Sequence, residues 1–158
     1  MPDLTPTEQM QAIADDAVRV AAEQFGTRLD FSGDSIAALE ELLDELRASF
    51  KKDGDGQLAL SHKTQQQISV ASSLFGAYLG EVLRRRFGGE WVVEPAPDAP
   101  VVALKIGKEF LFPPTRVFQR LLEGAQQSVW DYYQFAAHAL AQGQASAANL
   151  VQIRLHRA

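Results

Sequence analysis

Apolar and polar positions alternate with helical period over most of the chain. The first stripe, Met10, Ile13, Ala17, Val20, Ala21 and Gln24, predicts a helix from about Thr7 to Phe25. Thr5-Pro6-Thr7-Glu8 supplies its cap, an N1 proline and the Glu of a capping box, and Gly26 stops it. A second helix is predicted over about Ser35 to Lys51, capped by Ser32 or Asp34. Its stripe, Ile36, Leu39, Leu43, Leu46 and Phe50, is the sharpest in the chain. Glu40, Glu41, Asp44 and Glu45 occupy the other face, and Lys51 and Lys52 complement the dipole of the last turn. Asp53-Gly54-Asp55-Gly56 then breaks the pattern.

A third helix, about Ser61 to Phe87, carries Ile68, Ala71, Phe75, Tyr78, Leu79 and Val82 and is the candidate central rod. After Gly88-Gly89 the period changes to that of strands. Trp91-Val92-Val93, Val101 to Ile106 and Phe110 to Phe112 read as a three-stranded antiparallel meander, with a proline loop first and a Gly107-Lys108 type II′ turn second. Pro113-Pro114 opens a fourth helix, expected from Pro114 to Gln142, with Phe118, Leu121, Leu122, Ala125, Val129, Tyr132, Tyr133, Ala136 and Leu140 as its apolar face. The expected fold is α+β: about four helices, with the small sheet between the third and fourth and packed on them. Residues 1–143 are read as one globular domain. Residues 144–158 are read as a tail in which Val151, Ile153 and Leu155 have strand period and could form an added strand.

The 158 residues, 46% apolar and 22% charged, exclude wholesale disorder. No cysteine is present, so thiolate nucleophiles and cysteine metal sites are excluded. The net charge of −5 argues against nucleic acid as a partner. No targeting segment or membrane-length apolar run is visible, which points to a cytoplasmic protein with no membrane partner. Charge is unevenly spread: residues 1–60 hold 13 acids and 5 bases, and residues 61–158 hold 7 acids and 10 bases.

Chemistry-bearing motifs are sparse. An EF-hand beginning at Asp53 needs Gly and Glu where Leu58 and Thr64 stand, so a solvated turn is expected there. His62, His138 and His156 lack metal-ligand spacing, and no metal or cofactor is expected. Arg84-Arg85-Arg86 complements a helix C-terminus. Gly76 and Gly80 each cost about 1 kcal/mol inside a helix, and close approach of a neighbouring main chain explains them. Beside them stand Tyr78, Glu81, Trp91 and Arg116, the candidate lining of a small-ligand or hydrolase-like pocket. Glu81 lies off the apolar stripe, where it is either exposed or, if buried, in need of a partner, and a salt bridge that fixes helix packing is its ordinary reading. Arg84 and Arg85 are in helical reach of it, and Arg116 or Arg120 could meet it across the fold.

Leu29-Asp30-Phe31-Ser32 with Ser35, then Gly76-Ala77-Tyr78-Leu79-Gly80-Glu81, Gly88, Trp91 and Glu123-Gly124, spread over residues 29–133, resemble an uncharacterised bacterial domain family of unknown function. The resemblance implies no activity. Some relatives of that family look like small accessory or toxin-immunity proteins. Two roles are therefore expected. One is a non-catalytic interaction protein, its acidic face Glu40, Glu41, Asp44 and Glu45 free of internal pairs; the other is the pocket at Tyr78, Glu81, Trp91 and Arg116. Pairing of the first two helices between copies would give a homodimer.

Overall fold

A computed structural model describes residues 3–142; the tail from 144 and its expected strand lie outside them. The element order is α1 (Pro6–Phe25), α2 (Ser35–Ala48), α3 (His62–Phe87), β1 (Glu90–Glu94), β2 (Val101–Ile106), β3 (Glu109–Leu111), α4 (Pro113–Glu123), a 3-10 turn (Ala125–Gln127) and α5 (Val129–Ala141). The α+β class and the antiparallel β1-β2-β3 sheet after the third helix match expectation.

Local signals place several ends well. Thr5 and Glu8 form the capping box of α1, and the Ser61 hydroxyl caps α3 by accepting from the Thr64 amide. In the β2–β3 turn only Gly107 has positive φ (60°), as a type II′ turn requires of its first central residue. The Asp53 carboxylate accepts from the amides of Asp55 and Gln57, closing a solvated turn.

Three expectations are corrected. The fourth helix is two helices, making five in all. Gly124 takes φ 108° and ψ −160°, outside the helical region, and the Ser128 hydroxyl caps the restart by accepting from the Asp131 amide. Within α4 the buried face is Pro113, Arg116, Val117, Arg120 and Leu121, so Phe118 is exposed, off the core face it was assigned to. Helix α2 ends at Ala48, so Lys51 and Lys52 lie beyond its last turn. Phe50 folds back into the core, its amide bonded to the Arg47 carbonyl. The sheet rests mainly on α1 and α3 rather than on α3 and α4.

The core is one cluster drawn from all five helices and the sheet. Ile36, Leu39, Leu42 and Leu43 of α2 and Ala14, Ala17 and Ala21 of α1 are spent inside it. The two helix stripes on which self-association was expected are therefore covered within one chain. Cross-strand neighbours Trp91, Leu104 and Leu111 share the inner face of the sheet. Gly76 and Gly80 form the seat of this packing. A Cβ on Gly76 would strike the main chain of Pro114, as expected for close backbone approach. A Cβ on Gly80 would strike the Trp91 indole instead, so that flank receives a ring and not a main chain. Among the described residues no helix is long and apolar enough to cross a membrane.

Candidate functional site

The four expected pocket residues line none of three clefts found among the described residues. Tyr78 and Glu81 are fully buried, and Trp91 and Arg116 are 2% exposed. The clefts lined by Gly33 and Tyr133, by Val18 and Leu29, and by Arg47 and Leu122 include none of the four. Each is instead tied into the architecture.

Glu81 is buried and is the centre of a sealed knot. One turn on, Arg84 donates from Nε to Oε2 (2.6 Å) and from Nη2 to Oε1 (3.0 Å), a bidentate pair. Trp91 Nε1 donates to Oε2 at 2.9 Å, and Arg85 Nε stands 3.5 Å from Oε1. Burial pushes the carboxyl up. The hydrogen bonds from Arg84 and Trp91 and the charges of Arg84 and Arg85 outweigh it, and the carboxyl lies below its ordinary value. The pair raises Arg84 in turn. A general base poised near neutrality needs the opposite shift. The Trp91 amide donates to the Thr7 hydroxyl, which anchors the start of the sheet to α1.

Tyr78 points the other way. Its hydroxyl accepts from the Phe31 amide at 2.8 Å and shares a hydrogen bond with the Ser35 hydroxyl at 2.6 Å. Burial raises the phenol above its ordinary value despite those bonds. Phe31 has φ 64°, a left-handed conformation rare for a residue with a bulky side chain. The tyrosine bond and the Arg85 guanidinium, 3.5 Å from the Phe31 ring centroid, hold it there.

Neither Arg116 nor Arg120 reaches Glu81. Arg116 donates to Gln127 Oε1 at 2.6 Å and lies over the Tyr132 ring. Arg120, 2% exposed, donates through Nε to Glu40 and through Nη2 to Asp44 at 3.0 Å. Glu40 also accepts from the Ser128 hydroxyl and the Trp130 amide. Two members of the expected free acidic face, Glu40 and Asp44, are thus engaged internally. The Asp44 side chain nonetheless remains 74% exposed. Glu41 and Glu45 are exposed and make no ion pair among the described residues.

A polar concavity among the described residues gathers side chains that no sequence motif connects. Asp34, Arg86, Trp130, Tyr133, Gln134 and His138 line a cleft of about 370 Å³ between the start of α2, the end of α3 and α5. Asp34 reads from the sequence as a cap, Arg86 as a dipole complement and Tyr133 as part of an apolar face, and His138 only lacks metal-ligand spacing. The available signal was the third arginine of the basic run, since the other two are in helical reach of Glu81 and pair with it. Among the described residues no group of three or more His, Asp or Glu is arranged to hold a metal. No protein-family model, curated protein or solved structure matches the chain.

Proposed function

We propose that this protein is a non-catalytic binding protein of the accessory or immunity type, working in the cytoplasm. Its partner-facing surface is the outer side of α2, and the partner presents a basic surface. The supporting observation is the state of Glu41 and Glu45. They stand four residues apart, exposed and without ion pairs among the described residues, on a helix whose opposite side is pinned by Ile36, Leu39, Leu42 and Leu43. The exposed carboxylate of Asp44 adjoins them. Charges on a rigid element steer association at small entropic cost. The groups that first pointed to catalysis, Glu81 and Tyr78, have their polar atoms engaged within the fold.

The test is capture of a partner from the native host at low and high salt, by the wild type and by Glu41→Lys/Glu45→Lys. The proposal expects a partner retained at low salt, released at high salt and lost to the charge-reversed variant. Equal retention by both proteins rejects this face, and no partner at either salt rejects the function.

A further inference from the structure

The cleft between α2, α3 and α5 has a composition that the α2 surface does not use. Arg84 and Arg85 pair with Glu81, whereas Arg86 has no acidic partner among the described residues. Arg86 Nη1 donates to the Tyr133 hydroxyl at 3.1 Å, which leaves most of its five N–H donors for another group. Asp34 lines the same concavity. It occupies the N-cap position of α2, but its carboxylate makes no capping bond. The Ser32 hydroxyl does that work by accepting from the Ser35 amide. Among the described residues, one cation and one anion without ion-pair partners therefore line the same cleft.

Its third component is flat and apolar. The Trp130 and Tyr133 rings lie nearly parallel, 17° apart with centroids 6.2 Å from each other; Trp130 is part-exposed and the buried Tyr133 backs it. The walls are held from behind. The Trp130 amide is bonded to Glu40, and the loop before α2 is tied down through Phe31 and Ser35 by the Tyr78 hydroxyl. Gly33 has no room for a side chain beside the Tyr133 hydroxyl, so the loop presses directly on the aromatic wall. A volume of about 370 Å³ falls at the small end of small-molecule sites.

We infer that this cleft binds a free aromatic amino acid, its carboxylate on Arg86, its ammonium on Asp34 and its ring against Trp130. An aromatic acid alone leaves Asp34 unmatched, and an aromatic amine leaves Arg86 unmatched. The zwitterion answers both, while the aromatic wall takes the ring by stacking.

The experiment is a titration of the full chain with L-phenylalanine, read by Trp130 fluorescence. Trp91 is the other tryptophan and is buried, so Trp130→Phe gives the background. The expected result is a saturable change absent in Trp130→Phe. Affinity should be about fivefold weaker for 3-phenylpropionate and for phenethylamine, the size of one lost exposed ion pair. Arg86→Gln and Asp34→Asn should each weaken phenylalanine by a similar factor. Glu41→Lys/Glu45→Lys should bind phenylalanine as the wild type does, which separates this site from the α2 face. No saturable change with phenylalanine overturns the inference. So does binding of either one-charge analogue as tightly as phenylalanine, or unchanged affinity in both Arg86→Gln and Asp34→Asn. Amide chemical shifts around Gly33 and Gln134 provide a second readout should the fluorescence of Trp130 be insensitive.

Discussion

Two buried charge networks hold this protein together, and they are built on opposite plans. The Glu81 knot is local: its arginines come from the next turn of the same helix, and Trp91 is only ten residues away. The Arg120 network is long-range. It joins α4 to Glu40 across 80 residues, and Glu40 goes on to the start of α5, 90 residues from itself. The first seals a carboxylate behind an indole. The second stitches three helices together and retains one exposed acid, Asp44. Local knots fix the register between a helix and the strand that follows it. Long-range networks fix which helices become neighbours. A buried pair of either kind is costly to break because the survivor is left charged and unpaired.

The contrast can be broken by substitution. Trp91→Ala should have the largest effect, about 4 kcal/mol of stability by denaturant unfolding. It empties the space over Gly80 and removes a donor from Glu81. Arg120→Ala should cost about 3 kcal/mol, the low end for breaking a buried pair, since Glu40 and Asp44 keep some access to water. It should also loosen the α4–α5 junction, visible as faster amide exchange at Trp130. Gly76→Ala should cost about 2 kcal/mol, because its methyl meets the main chain of Pro114, which cannot swing away as a side chain can. Thr5→Ala, in neither network, should lower the melting temperature least, losing about 1 kcal/mol from the α1 cap.

The same contrast explains what could be read before the fold was known. The Thr5 cap, the Gly107 turn and the Glu81–Arg84 spacing are all settled within four residues, and each appears where its local chemistry calls for it. Gly76 and Gly80 also announced a close approach, although only the fold shows that a tryptophan ring fills one of the two places. The division between α4 and α5 stayed hidden because Leu121, Leu122, Ala125 and Val129 continue a helical period straight through Gly124. The burial of Arg116 and Arg120 was equally hidden. Their partners lie on elements whose proximity no spacing encodes, and an arginine on a helix reads by default as solvated. The cleft shares that origin. Asp34, Arg86 and Trp130 belong to three separate elements, and only tertiary packing gathers them.

The pH dependence separates the interior groups in the other direction. A carboxyl held below its ordinary value of 4.5 contributes stability that is present above that pH and lost as pH falls through the folded-state value. Tyr78, raised above 10.0, contributes stability that is full below pH 10 and lost as pH climbs through its folded-state value. Glu81→Gln should therefore flatten the acid limb of a stability profile, and Tyr78→Phe the alkaline limb, each leaving the opposite limb in place.

The central claim is that the interior charges hold the fold together rather than react. Its most direct test is the titration of the Glu81 side-chain carboxyl carbon, followed by NMR in the intact protein. The result expected is a midpoint below 4.5, with the Trp91 indole proton shifting in step as its acceptor is protonated. A Glu81 midpoint near neutrality would contradict the claim, because it would reveal a carboxyl poised to exchange protons where a permanent anion should stand.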